Sequence, residues 1–241
     1  MELSVIVLIL LGVLVILAAS RFLGKAVKLA VHVMLLVIVI LIILTVLVYK
    51  DMNDIKQGFS QRNNTFLLYE NHRLYTAVTL KPLTSTTLGL DSFYYFTRDE
   101  MPQMQDSLNN KEYQSILNSY TNNYKLFIIK PAILNKPYTL NLGIDLDQGD
   151  LLNIIMSNDS FLALAEKTNN TYGMSVGDVQ RGLVELYESR EKFKGYLFAG
   201  LLANYFQNQQ PGELVQSIKD KSIIVYPESI SFKLIKYLPW V

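Results

Sequence analysis

Three carboxylates that could bind a metal ion lie in one short segment, at Asp145, Asp147 and Asp150. Carboxylate oxygens are the ligands that a hard cation such as Ca²⁺ prefers, and the first spacings resemble the start of an EF-hand loop. The rest of that pattern is missing, because Met156 stands where an EF-hand has its bidentate glutamate. The alternative is a turn from a strand into a helix that Asp150 caps. We favour the turn, so the sequence predicts neither a metal ion nor a cofactor.

Histidine and cysteine offer little further chemistry, since the chain has two histidines, His32 and His72, and no cysteine. His32 lies in an apolar run, where it is either a proton site or an interfacial residue beside Lys28. His72 lies in a turn without a companion for a zinc site or a catalytic triad. Paired carboxylates need no fixed spacing in sequence, so a hydrolase that uses Asp145 and Asp147 remains an alternative.

The elements that must position these residues begin with two apolar runs, at about 3–20 and 28–48, which are joined by a connector with Arg21, Lys25 and Lys28. Each run has about the 17–25 apolar residues that cross a bilayer as a helix. The pattern predicts a transmembrane hairpin. Basic residues in short loops stay on the cytoplasmic side, so these three determine the topology and both ends lie outside.

Two other topologies compete with this one. A cleaved signal peptide would use the small residues Ala18-Ala19-Ser20, but the chain starts Met1-Glu2 without a basic region, and cleavage would leave three cations outside. An inverted hairpin would place the domain inside. We predict a multi-pass protein of the cell membrane with its C-terminal domain outside the cytoplasm.

Residues 50–64 are polar and predict a linker, and residues 65–241 predict a single α+β domain. Strands at 65–70 and 73–81 form a hairpin around Asn71-His72. A strand at 92–97, a helix capped by Asp99, and strands at 124–130 and 137–144 follow.

The longest helix of the domain is predicted near 175–206. Ser175 and Asp178 have capping-box spacing, and an apolar stripe predicts that Leu186 and Leu197 are both buried. Small residues at Gly195, Ala199 and Ala203 would let another element approach closely. Two last strands are predicted at 222–226 and 230–236.

Charge and sequons add limits on function. The chain has 22 basic and 21 acidic residues, and only Glu2, Arg21, Lys25 and Lys28 precede Lys50, so the domain is close to neutral. We therefore exclude nucleic acid as a partner. The charge runs 98–100 and 188–191 predict solvated surface. Three sequons, at Asn63, Asn158 and Asn169, would permit glycosylation of a domain that lies outside.

The function predicted first is a membrane-anchored, non-enzymatic binding or assembly module of the cell envelope. Its partners would be membrane lipids and either another protein or a second copy of the chain. The alternatives are a membrane-tethered hydrolase and an accessory subunit of a transport or secretion complex. The apolar C-terminus, which contains Trp240, either packs on the domain or contacts the membrane interface or a partner.

Overall fold

A computed structural model describes residues 12, 25–80, 93–119, 123–134, 140–141, 145–208, 211–229 and 232–233. Its first long element is helix α1, Lys25–Gln61, which has 37 residues. Within these ranges one segment, Leu29–Asp51, is long and apolar enough to cross a membrane. The first apolar run, 3–20, lies outside the described residues except for Gly12. One candidate span is therefore shown, and the two-helix hairpin is not.

The polar segment 50–64, for which we predicted a linker, continues α1 as far as Gln61, and strand β1 starts at Asn63. Two contacts fix the helix to the domain: Tyr124 donates a hydrogen bond to Asp54, and Ser229 donates one to Asp51. Val48 joins the hydrophobic core of the domain. The helix and the domain are thus joined without a loose tether in between.

The domain is a mixed α+β fold around a five-stranded sheet in the order β3-β2-β1-β4-β7. The strands are β1 Asn63–Glu70, β2 Arg73–Leu80, β3 Phe93–Tyr95, β4 Asn123–Ile129 and β7 Ile223–Tyr226. Strands β1 and β4 are parallel, and the other pairs are antiparallel. A separate two-stranded ladder pairs β5 Leu140–Asn141 with β6 Asp145–Leu146.

Helices cover both faces of this sheet. On one face lie α2 Glu100–Asn109 and α3 Tyr113–Asn118, which pack on Leu67, Leu126 and Ile128. The larger core on the other face contains residues of α4 Gln148–Met156, α5 Ser160–Tyr172, α7 Arg190–Asn208 and α8 Pro211–Lys219. Helix α6, Val176–Tyr187, packs mainly on α5. Because both faces are covered, the central strand β1 is buried nearly throughout, as its continuous apolar run requires.

The hairpin predicted around Asn71-His72 is confirmed. Both residues have positive φ, 52° and 62°, as the two central residues of a type I′ turn require. The pairing contains one irregularity: Thr76 pairs with Leu68 and Leu74 with Tyr69, which leaves Tyr75 as the extra residue of a β-bulge.

The single long helix predicted over 175–206 is wrong. The chain forms two helices, α6 and α7, separated by Glu188, whose φ is 65°. The phase of the apolar stripe changes at this break, so Leu197 is fully buried, as predicted, but Leu186 is 57% exposed. The predicted burial of Leu186 is therefore also wrong.

Of the three predicted N-caps, two are at the predicted positions and one is at a different residue. Asp99 and Ser175 occupy N-cap positions but make no capping hydrogen bond with their side chains. At α4 the cap is Asp147, not Asp150, because the Asp147 Oδ1 accepts from the backbone N–H of Asp150 at 2.7 Å.

Of the two last strands, β7 is confirmed. At Phe232 the chain is helical instead of extended, with the N–H of Lys233 bonded to the carbonyl of Ser229 at 3.1 Å. Phe232 is buried against the domain core. The remainder of the predicted strand at 137–144 beyond β5, and residues 234–241, lie outside the described residues.

Candidate functional site

The acidic turn has a structural role in its described part. Asp147 caps α4, and Asp150 forms a salt bridge of 2.8 Å with Lys167. Asp145 lies in β6, paired with Asn141. Across the described ranges, no group of three or more His, Cys, Asp or Glu side chains could hold a metal ion. The structure thus gives two of the three aspartates partners within the protein.

The two histidines belong to other elements. His32 is an exposed residue of α1. The Nδ1 of His72 lies 3.3 Å from the Oδ1 of Asn109, which also accepts a hydrogen bond of 2.7 Å from Tyr69. These contacts tie the β1–β2 turn to the end of α2.

The sequons and the topology residues occupy varied positions. Asn63 is the first residue of β1, Asn158 lies between α4 and α5, and Asn169 is exposed on α5. Lys25 and Lys28 belong to the first turn of α1. Arg21 lies outside the described residues.

The structure brings together a different set of residues in a cleft of about 370 Å³, which we call the basic cleft. Five segments supply its lining: the start of β2, the loop after β3, helix α2, the loop between α4 and α5, and the start of α7. The lining residues are Arg73, Leu74, Tyr75, Thr76, Phe96, Arg98, Met101, Pro102, Gln105, Asn158, Glu191 and Lys194. This volume lies in the range of about 300–1,000 Å³ that is usual for small-molecule sites.

The basic cleft exists because β3 is short. Strand β3 pairs only with Val78, Thr79 and Leu80, so in the described part of the sheet no strand covers β2 from Arg73 to Ala77 on that edge. The bulge at Tyr75 bends this same stretch. Gln105 of α2 accepts the N–H of Leu74 at 3.0 Å, which satisfies one edge donor with a side chain. The open half of β2 thus becomes the wall of a cleft.

Three cations line this cleft, and the contacts that the described residues make with Arg73 and Lys194 come from neutral groups. The Nη2 of Arg73 donates to the Oδ1 of Asn158 at 2.6 Å, and its guanidinium lies 5.0 Å from the centroid of the Tyr75 ring. The Nζ of Lys194 donates to the backbone carbonyl of Ser157 at 2.6 Å. Arg98 is exposed at the rim. Among the described residues, none of the three forms a salt bridge.

Burial lowers the pKa of Lys194, because the ammonium is removed from water. The negative charges of Glu191 and Asp159 oppose this effect, while Arg73 and Arg190 add to it. Asp159 itself is already paired, since Arg190 contacts its two oxygens at 2.8 and 2.7 Å. Lys194 is therefore a cation held in an environment that compensates its charge only in part.

No family model, curated protein sequence or solved structure matches the chain. The chemistry of the basic cleft must be read from its own residues.

The sequence did not reveal this cleft. Arg98 belongs to a charge run that we predicted to be solvated surface, and Lys194 lies outside the apolar stripe of its helix. The residues come from positions more than a hundred apart along the chain, so only the tertiary fold brings Arg73 and Lys194 together. One local signal existed: a short aromatic strand, β3, cannot cover the whole length of the longer β2.

Proposed function

We propose that this protein is a membrane-anchored binding module of the cell envelope, with its domain outside the cytoplasm. The basic cleft is the observation that carries this proposal. Cations whose protein contacts are neutral can bind an anionic ligand without first breaking a salt bridge. The ligand then supplies the negative charge that the cleft lacks.

The membrane anchor rests on α1 and the two apolar runs. Leu29, Met34 and Leu36 are each more than 60% exposed, which suits contact with lipid better than the core of a soluble domain. Together with the run at 3–20, α1 would form the hairpin, and Arg21, Lys25 and Lys28 would keep its bend in the cytoplasm. Membrane lipids would then be one partner, and the ligand of the cleft a second.

The test is photocrosslinking in native membranes. A photoreactive phenylalanine derivative replaces Pro102, which lines the cleft, or in a control Asn118, which is exposed on α3 outside it. We expect an adduct, detected as a mass shift of the purified protein, from position 102 only. Adding Arg73→Glu should abolish it.

Adducts of equal yield from both positions would contradict the proposal. So would an adduct from position 102 that persists with Arg73→Glu, or the absence of any adduct from that position. Immunoblots of the membrane fraction confirm that each variant is present in equal amount.

A further inference from the structure

We propose that the ligand of the basic cleft is an organic oxyanion, with a carboxylate or phosphate group attached to an apolar body, and that Arg73 and Lys194 hold the charged end. This inference rests on the proposed function, since it names the chemistry of the same site. Three observations support it.

The first observation is the balance of charge. Arg73, Arg98 and Lys194 face one carboxylate among the described lining residues, Glu191. The nearby Asp159 is engaged by Arg190 and also accepts the N–H of Leu162 at 3.1 Å, so it does not neutralise the cleft. An anionic ligand would neutralise part of the excess positive charge of the cleft.

The second observation is that the two inner cations are held in place but keep donors to spare. A guanidinium has five N–H donors and an ammonium has three. The described contacts of Arg73 use one donor to Asn158 and place its plane near Tyr75, and those of Lys194 use one donor to Ser157. The fork of an arginine matches the two oxygens of a carboxylate or phosphate group, and the point charge of a lysine adds to it.

The third observation is the apolar remainder of the lining. Tyr75, Met101 and Pro102 keep apolar surface exposed in the same cleft, whereas Leu74 and Phe96 belong to the buried core beneath it. A free inorganic ion would leave this surface exposed to water. A ligand with an apolar or aromatic group beside its oxyanion covers it and gains the free energy of that burial.

The experiment uses the full chain in nanodiscs of zwitterionic lipid. Phenyl phosphate and 3-phenylpropionate are titrated by calorimetry, with inorganic phosphate, acetate and the uncharged 3-phenylpropionamide as comparison ligands. We expect both aromatic oxyanions to bind at least about tenfold more tightly than any comparison ligand. Inorganic phosphate and acetate lack the aromatic ring, and 3-phenylpropionamide lacks the negative charge.

Variants then assign the residues. Arg73→Gln and Lys194→Gln should each weaken binding about tenfold or more, as expected for the loss of a charged hydrogen bond. The matched control is Arg181→Gln on α6, an exposed arginine outside the cleft, which should leave binding unchanged. Arg73→Lys keeps the charge but not the fork, so it should bind with intermediate affinity. It also allows the role of Arg73 in binding to be measured if Arg73→Gln fails to fold.

Equal binding of the amide and the acid, or binding that survives both glutamine variants, would overturn the inference. If neither oxyanion binds while the adduct from position 102 remains sensitive to Arg73→Glu, the ligand class is wrong but the binding function stands. If neither oxyanion binds and position 102 gives no adduct that is sensitive to Arg73→Glu, both the ligand class and the binding function are wrong. Nanodiscs with phosphatidic acid distinguish the source of a phosphate ligand: competition with phenyl phosphate assigns a lipid headgroup, and no competition assigns a soluble molecule.

Discussion

At the scale of single residues, Lys194 shows a conflict between stability and binding. Its burial disfavours the charged form that the proposed ligand requires, and its lowered pKa records that cost. In the proposed role, Lys194 would contribute to ligand binding at the expense of the stability of the folded state.

Lys194→Met should therefore raise the melting temperature at pH 7, because it keeps the apolar stem and removes the buried charge. Since the pKa of Lys194 is lower in the folded chain than in the unfolded one, the wild type gains stability as the pH rises toward 10.5. The advantage of the variant should shrink over that range. Thermal unfolding from pH 7 to pH 10 measures this, with the exposed Lys130→Met as control. A variant less stable than wild type at pH 7 would refute the argument.

Tyr187 gives a second prediction that depends on pH. Burial raises the pKa of its phenol to about 12, and the nearby Tyr196 adds to this effect. The unfolded chain loses the proton near pH 10, so the folded state binds more protons between about pH 10 and 12 and loses stability there. Tyr187→Phe should show a smaller fall in the free energy of unfolding between pH 9 and 11.5. Below pH 9 the two proteins should respond to pH alike, and a difference there would assign the effect to another cause.

At the scale of elements, the break between α6 and α7 decides which apolar side chains reach the core. Tyr187 and Phe193 lie on either side of it, with ring centroids 4.8 Å apart. Glu188, with positive φ, lets the chain change direction so that both rings meet. Glutamate is a good helix former, so Glu188 itself gives no signal of a break. The neighbouring Ser189 does, because serine is common at N-caps and its Oγ accepts the N–H of Lys192 at 3.1 Å.

Leu197→Ala should cost about 2–5 kcal/mol of unfolding free energy, because it removes buried methyl groups and leaves a cavity in the main core. Leu186→Ala, on the exposed side of α6, should change stability by less than about 0.5 kcal/mol. Denaturant unfolding of the full chain in detergent measures both. Equal losses of unfolding free energy in the two variants would contradict the break and support a single continuous helix.

Gly195 lets α7 cross the sheet at close range. A Cβ atom there would lie 3.1 Å from the Cβ of Tyr95 and 3.2 Å from the Cγ1 of Val78. Gly195→Ala should therefore destabilise the domain by about 1–3 kcal/mol through overpacking. Gly200→Ala, in the same helix with no atom within 4 Å of the new methyl group, should be neutral or stabilise by up to about 1 kcal/mol. Melting temperatures that fall equally for both variants would contradict the close approach.

Local patterns predicted the elements better than their assembly. Asn71-His72 identified the hairpin because a tight turn is encoded by adjacent residues, and the lack of a Cβ atom at Gly195 indicated a close contact. The cleft could not be predicted in the same way, because the pairing of β3 with only part of β2 is a tertiary event. The N-cap of α4 shows the same limit of sequence-based prediction, because Asp147 caps the helix where Asp150 was predicted. Several carboxylates in one turn can cap a helix, and the fold determines which one does.

At the scale of the whole molecule, the membrane topology is the prediction that most directly constrains function. The chain has no cysteine, so a single introduced thiol is labelled without background. Asn170→Cys, exposed on α5, should react with a membrane-impermeant maleimide in intact cells. Gly24→Cys, in the connector, should react only after permeabilisation. Labelling of both in intact cells would show that α1 does not cross the membrane, and the reverse pattern would indicate a domain inside the cytoplasm, as in an inverted hairpin or after cleavage of a leader.

The short connection from α1 to β1 also fixes how the domain is oriented about the axis of α1. An α-helix turns about 100° per residue, and Asp51 and Asp54 fasten the domain to one side of it. In the proposed topology, the direction in which the basic cleft faces therefore depends on the rotation of α1 about its own axis. A second membrane helix that packs on α1 would fix that direction.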